Sequence, residues 1–491
     1  MKMAELKIFS GGTQTVIHAE PGRRIADVLR ANGFGIISPC GGRGVCGKCA
    51  VILNGNISSP APAEQKAGIR LACQAVLEGD AEVILPREEV MEGIELGGGA
   101  LIPAAPMDGT YGAAVDIGTT TIAMNLYDLR TGNCLARCGI PNPQISVGAD
   151  VMSRIGASMS GASGVLQAQV TGAVNTLLVQ SCSLADIDIS RVESMTAAGN
   201  TTMLYLLTGR DPTALSRAPF NADHLFDETL TLCGRNTYLP RCMHAFVGAD
   251  ITCAVLASGM CDKKGTALLC DVGTNGEIAL WKNGELLVTS TAAGPAFEGA
   301  GISCGCGSVR GAIDRVCFSG GKLIVHVIGE EDARGVCGSG LIDAVAAALD
   351  SGMVDETGCM AQDFYELAPA VRLLPGDIRA VQLAKAAVAA GIETLLEEAD
   401  ADIDDIDDFY IAGGFGSHMN LESAAAIGLF PENLTNRAAS IGNAALTGAA
   451  QMLLDRGAQQ QGRKIAGLAR HINLGGNPRF NVNYMEHMMF Q

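Results

Sequence analysis

At 491 residues the chain is too long for one hydrophobic core, and two to four domains are expected. Hydrophobic residues make up 48% and charged residues 18%, so sizeable cores can be buried. The net charge of −18 argues against nucleic acid as a partner, because neutralising phosphates takes Lys and Arg; a soluble protein with a protein or small-molecule partner is expected.

The N-terminus, MKMAELKIFSGG, lacks an apolar core segment and runs straight into a strand pattern, so no secretory signal is expected. Residues 6–9 and 15–19 read as short strands around a Gly11–Gly12 turn. Pro21 then opens an amphipathic helix through Ile25, Val28 and Leu29, ended by Asn32–Gly33. A glycine-rich loop, a strand at 48–53 and a last strand at 81–85 complete residues 1–87. That is the order of an α+β, β-grasp ferredoxin-like domain.

The loop PCGGRGVCGKCAV carries Cys40, Cys46 and Cys49, and Cys73 follows, giving the spacing C-x5-C-x2-C-x23-C. Three thiolates on one loop and a fourth brought in by the fold suit a 2Fe–2S cluster. Interleaved glycines let backbone N–H groups turn inward towards the sulfides. Zinc is the alternative, since Cys46-x2-Cys49 is also a zinc half-site, but structural zinc sites usually pair two such knuckles. Seventeen cysteines is an odd number, and thirteen lie scattered outside this cluster, mostly in apolar segments. The pattern fits a reducing cytosol, where free cysteine behaves as a small buried hydrophobe. The region resembles the plant- and adrenodoxin-type 2Fe–2S ferredoxins, whose clusters have potentials of roughly −400 mV in plant-type examples.

Residues 88–112 are rich in Gly, Ala and Pro and read as a linker. Residues 155–185 carry no charge, but Val170, Val174, Leu177 and Leu178 recur at helical spacing among Ser, Gln and Thr. This predicts a helix packed by one face and no membrane span. Most informative is a repeated unit. AAVDIGTTTIAMNLYDL begins at Ala113, and about 155 residues later ALLCDVGTNGEIAL begins at Ala267. Each reads as apolar strand, Asp, Gly-Thr, returning strand, and two such units suggest two homologous lobes facing each other. Taken singly, either could be a plain hairpin turn. The glycines let backbone N–H groups approach phosphate oxygens, the threonine hydroxyls add donors, and Asp116 and Asp271 can hold Mg²⁺ or its waters. A third glycine turn, IAGGFG at 411–416, lies between a strand and a helix from about Leu421.

This trio resembles the acetate and sugar kinase, heat-shock-70 and actin superfamily, which implies a two-lobed α/β, duplicated ribonuclease-H-like domain over 113–491, with lobes at about 113–265 and 266–491. The resemblance makes Gly118, Thr119 and Thr120 the first phosphate loop. It makes Gly273, Thr274 and Asn275, with Asp271, the second, and Gly413, Gly414 and Gly416 the adenosine loop. Asp250, at a helix start in FVGADITCAV, matches the position of a general base in sugar kinases. Here it could orient the attacking water or bind Mg²⁺, unless it is simply an N-cap.

The order ferredoxin, linker, ATP-binding domain, with the strings NPQISVGADVMSRI (142–155), AAGNTTM (197–203), TAAGPAFEGAGISCG (291–305) and CGSGLIDAV (337–345), resembles the reductive activators of corrinoid proteins. The resemblance implies ATP-dependent, one-electron reduction of Co(II) to Co(I) on a separate corrinoid protein, with ATP and Mg²⁺ as cofactors, a low-potential electron donor and a cytoplasmic, anaerobic setting. No D-x-H-x-x-G corrinoid-binding motif occurs, as befits an activator. Some members carry an extra middle domain that contributes to dimerisation. Only about twenty residues separate Gly93 from the first phosphate loop here, so a homodimer by that route is not implied. Alternatives stay open: an ATP-driven donor to another low-potential metalloprotein, a small-molecule kinase with a regulatory ferredoxin, or a non-catalytic redox sensor. The acidic run at 397–408 reads as a solvated helix end, and Cys304 and Cys306 as buried free thiols.

Overall fold

A computed structural model describes residues 3–10, 13–32, 34, 44, 49–67, 70–85, 101, 107–414, 416 and 418–490. In the N-terminal region, strands β1 (Ala4–Ser10), β2 (Thr13–Ala19), β3 (Ala50–Ile57), β4 (Arg70–Leu71) and β5 (Leu77–Ile84) form one sheet in the order β2-β1-β5-β3-β4. β1 and β5 are parallel and the other pairings antiparallel. Helix α1 (Ile25–Ala31) lays Ile25, Val28 and Leu29 on Leu6, Ile8, Leu77 and Val83, and a short helix α2 (Pro62–Ala67) precedes β4. Helix α1 begins four residues later than Pro21 suggests. Gly22 and Ile25 donate to Leu77 O and Ala75 O, and Leu77 donates to Arg23 O. Residues 21–24 are thus pinned to the strand behind them before the helix can start.

The rest of the chain builds two sheets of one design. The first contains β6 (Tyr111–Ile117), β7 (Thr121–Asp128), β8 (Cys134–Pro141), β9 (Val192–Gly199), β10 (Glu228–Leu232) and β11 (Arg235–Leu239) in the order β10-β11-β9-β6-β7-β8. Its helices are α3 (Val151–Ala157), α4 (Ser163–Leu184), α5 (Thr201–Thr208) and α6 (Ala249–Ser258). The second sheet contains β12 (Thr266–Val272), β13 (Gly276–Lys282) and β14 (Glu285–Thr291). Two small sheets follow: β15 (Ala312–Ser319), β16 (Lys322–Val327) and β17 (Gly335–Val336), then β18 (Tyr365–Ala368) and β19 (Val371–Leu373). The main sheet is completed by β20 (Ile406–Ala412), β21 (Ala438–Ser440) and β22 (Ala469–His471), in the order β21-β20-β12-β13-β14-β22. Helices α7 (Gly338–Asp350), α8 (Pro375–Glu398), α9 (Leu421–Ala426), α10 (Glu432–Thr435), α11 (Ala444–Leu454), α12 (Arg456–Leu468) and α13 (Pro478–Glu486) accompany it. In both sheets an antiparallel meander is joined on its first strand by a parallel one, β9 on β6 and β20 on β12. The duplicated sequence unit is therefore a duplicated topology.

Strand periodicity sorts side chains into three layers. Ala113, Val115 and Ile117 of β6 face α4, which packs through Leu166, Val170, Val174, Leu177 and Leu178 as its spacing predicted. Leu268, Cys270 and Val272 of β12 face α7 and α8. The opposite faces, Ala114 and Ala123 on one sheet and Leu269 and Ala279 on the other, meet a shared central core made by α6 and α11. These two helices cross so closely that a β-carbon on Gly448 would lie 2.0 Å from Cys253 O. Thus α11, from the second half of the chain, packs between the sheets and braces the first lobe.

No helix among the described residues is long and apolar enough to cross a membrane. The acidic run is tied down by cations: Lys263 to Asp408, Lys282 to Asp405, Arg479 to Glu397 and Glu398, and Arg470 to Glu398. Cys304 and Cys306 are only half-buried, not sealed in a core as expected. The Cys304 sulfur accepts from the Arg372 N–H at the rim of β19.

Candidate functional site

The two repeated hairpins have short turns, four residues at 118–121 and three at 273–275, because Ile117 pairs with Ile122 and Val272 with Gly276. In the first, Gly118 N–H donates to Thr121 O at 3.0 Å, and a β-carbon on Gly118 would come within 2.6 Å of that oxygen. In the second, Gly273 N–H donates to Asn275 O at 2.9 Å. Asp116 and Asp271 precede their turns by the same step.

The third glycine turn leaves β20 beside the second hairpin, since Asp271 pairs in register with Ala412. Gly413 (φ +88°) presses against the aspartate: a β-carbon there would lie 2.6 Å from Asp271 Oδ1. Its N–H donates to Gly442 O, Gly414 continues the turn, and Gly416 folds back until a β-carbon would touch the Ile411 side chain at 2.5 Å.

Asp250 is not an N-cap. Gly248 holds that position in α6, and Asp250 Oδ1 accepts from the Ile251 N–H at 2.8 Å inside the first turn. Gly248 is glycine for a steric reason, because a β-carbon would lie 2.4 Å from Asn200 Cα at the start of α5. The N-terminal ends of two helices are thereby brought together at the first loop.

Asp116, Asp250, Asp271 and Glu277 lie close enough to repel one another. Burial, then the nearby Asp116, pushes both Asp250 and Asp271 up to about 7. Asp116 is raised to about 6 by burial, opposed by a hydrogen bond from Asn443. Glu277 is raised well above the ordinary carboxylate range by burial, then by Asp250 and Asp271. Each retains partial exposure, so this is the floor of a cleft. An anionic floor of this kind needs a cation before it will accept phosphate.

Five further residues complete the site and had no assigned role in the sequence. Glu298 accepts from Thr120 Oγ1 at 2.7 Å and from Thr274 Oγ1 at 2.9 Å, so one carboxylate clasps both loops. Asn443, the N-cap of α11, donates to Asp116 Oδ2 at 2.9 Å. Asn200, the N-cap of α5, donates to Thr119 Oγ1 at 3.1 Å. Asn142 donates to Gly118 O at 2.8 Å, and Arg154 to Thr119 O at 2.6 Å. All except Asn443 lie in the strings that carried the family resemblance. For the three asparagines the sequence could offer their position at helix starts, without the partner; for Glu298 and Arg154 it offered no local signal.

In the ferredoxin-like region, Cys49 and Cys73 are buried, each 1% exposed. Cys49 O accepts from the Ala72 N–H at 2.9 Å, so the two cysteines enter the same end of the sheet. Gln74 Nε2 donates to Cys73 Sγ at 3.6 Å. Two buried cysteines at one end of the sheet fit half of a four-thiolate set; Cys40 and Cys46 lie outside the described residues.

Comparison with known proteins agrees with this architecture. A family profile described as the 2Fe–2S iron–sulfur cluster binding domain matches residues 8–78. One described as the RACo middle region matches 111–263, the stretch that here carries the first phosphate hairpin and sheet. One described as the C-terminal domain of RACo, the ASKHA domain, matches 265–491. The corrinoid activation enzyme RamQ of Eubacterium limosum is 33% identical over 420 residues, 77% of this chain and 70% of that protein. A Co(II) methylated amine-specific corrinoid protein reductase of Methanosarcina barkeri is 26% identical over 420 residues, 76% of each. A solved structure of a reductive activator for corrinoid, iron–sulfur protein superposes with a TM-score of 0.71 at 26% identity, covering 99% of this chain and 98% of that one. With a match to the 2Fe–2S domain, two repeated hairpins joined through Glu298, and relatives of this extent, the chain belongs to the family of reductive activators of corrinoid proteins.

Proposed function

We propose that this chain uses ATP to drive the passage of one electron to the Co(II) centre of a corrinoid carried by a separate protein, giving Co(I). The observation that carries the reading is the clasped pair of phosphate hairpins in a chain that also holds the cysteine-bearing β-grasp sheet. Cys40, Cys46, Cys49 and Cys73 would hold the 2Fe–2S cluster, which supplies a one-electron, low-potential donor when bound. A separate low-potential donor restores that electron after each transfer.

ATP is the ligand of the cleft. Backbone N–H groups of Gly118, Thr119 and Thr120, and of Gly273, Thr274 and Asn275, receive the phosphates from two sides, and Gly413, Gly414 and Gly416 line the adenosine. Among the described residues no three carboxylates, cysteines or histidines converge as a ready-made metal cage. That suits Mg²⁺, which keeps several waters and takes one or two carboxylates together with substrate phosphates. Asp116 and Asp271 are those carboxylates in our reading, and Asp250 orients the attacking water.

The energetics favour coupling over simple contact. For one electron each unfavourable 59 mV is a factor of ten, about 1.4 kcal/mol. Closure of the two sheets on ATP supplies a route for that energy to reach the docked partner. The test is to mix reduced protein with a Co(II) corrinoid protein under anaerobic conditions and follow Co(I) absorbance with and without Mg–ATP. ATP-dependent Co(I), lost in Cys46→Ser and in Asp271→Ala, is expected. ATP hydrolysis without Co(I) would point to another metalloprotein acceptor, and phosphorylation of a small molecule that survives Cys46→Ser would point to a kinase. Whether the chain pairs as a homodimer is checked by sedimentation.

A further inference from the structure

Beneath the first phosphate loop lies a cation that the reading above leaves unused. Arg154, the last basic residue of α3, is fully buried, 0% exposed, and its hydrogen-bond partners are neutral. Its Nε donates to Gly148 O at 2.9 Å, Nη1 to Gln144 Oε1 at 3.3 Å and to Met203 Sδ at 3.2 Å, and Nη2 to Thr119 O at 2.6 Å. Gln144 is itself held by donating to Leu166 O at 2.9 Å, so the fork is fixed from behind. A buried charge without a bonded counter-ion is costly, and helix packing alone would be better served by an apolar side chain.

The bond to Thr119 O has a geometric consequence. A trans peptide carries its C=O and the following N–H on opposite edges of one plane. Holding the Thr119 carbonyl towards α3 therefore turns the Thr120 N–H the other way. The hydroxyl of the same residue, Thr120 Oγ1, reaches Glu298 at the cleft.

We propose that Arg154 is a positioning residue for nucleotide phosphates: it aims the Thr120 N–H into the cleft, and its buried positive charge is balanced when a polyphosphate arrives. Asp150 and Glu298 attract it from a distance and hold its charge against the pull of burial, which brings it down to about 10. The proposal rests on the ATP reading of the cleft, and it concerns the phosphate end of that ligand alone.

The experiment is calorimetric titration of ADP and of adenosine into the full-length, cluster-loaded protein, its Arg154→Met variant and its Arg154→Lys variant. The readout is the ratio of ADP to adenosine affinity, which a general loss of fold would not shift. In Arg154→Met the ratio falls about tenfold or more, with adenosine binding retained. Arg154→Lys keeps the charge but cannot span Thr119 O and Gly148 O together, so its ratio also falls, by less. An unchanged ratio in whichever variant folds overturns the proposal alone. A wild-type chain that bound neither ligand would remove the ATP reading and the proposal with it.

Discussion

The two phosphate hairpins began as copies and are now supported in different ways. The first is braced by polar side chains of its own lobe: Asn142 on Gly118 O, Asn200 on Thr119 Oγ1 and Arg154 on Thr119 O. The second is held by close backbone packing, with Gly413 wedged against Asp271. Their aspartates differ accordingly. Asp116 spends one oxygen on Asn443, whereas Asp271 has no hydrogen-bond partner among the described residues and is free to take water, metal or phosphate. The two hairpins share a shape but not their surroundings, and in our proposal the first copy anchors while the second reacts.

The sharpest way to break this comparison is to neutralise each aspartate in turn. Asp271→Asn should lower ATP turnover on the order of 10²-fold or more, and Asp116→Asn by clearly less, measured as steady-state phosphate release with the cluster's absorbance unchanged. Equal losses would mean that the two copies share one role. Next in size is Gly413→Ala. A β-carbon at φ +88° and 2.6 Å from Asp271 Oδ1 should raise the KM for ATP roughly tenfold, whereas any perturbation of the Asn142 brace should leave Asp271 in place.

Much of this was legible in the sequence, because strand alternation and glycine turns are local signals. The repeated Asp-x-Gly-Thr unit announced both hairpins, and the third glycine turn fell between a strand and the helix at Leu421, as expected. The bracing residues were not legible, because their meaning lies in partners far along the chain. Asn443 meets Asp116 across 327 positions and Glu298 meets Thr120 across 178. The start of α1 was misplaced for the same reason: Pro21 is a fair local opener, but backbone bonds to residues 75–77 hold its turn out of the helix.

Glu298 offers a smaller, symmetrical test, since it hydrogen-bonds to both loops. Glu298→Ala should reduce turnover about tenfold and loosen both hairpins, read as faster amide hydrogen exchange at 118–121 and 273–276 together. Exchange rising at one hairpin alone would mean that the clasp serves one copy.

The smallest effect is a pH slope. Asp250 and Asp271 are raised to about 7 and Asp116 to about 6, so the nucleotide-free fold binds more protons than the unfolded chain over this range. Its stability should therefore fall as pH climbs from about 4 to about 7, then level off. Mg–ATP needs the ionised carboxylates, so the gain in Tm on adding it should widen from pH 6 to pH 8. A gain that narrowed over that range would contradict the assignment of these carboxylates to the metal.

The close crossing of α6 and α11 has a mechanical meaning. With Gly448 seated on the Cys253 backbone, the two halves of the molecule share an axle that cannot slide without a clash. Asp250 and Asn443 stand at the ends of that axle, in the first turn of α6 and at the cap of α11. A rotation of one sheet against the other would scarcely shift these two residues, yet the same few degrees would sweep the outer edges through the largest arc. A small rearrangement around the phosphates would thus be delivered, magnified, at the rim where another protein can feel it.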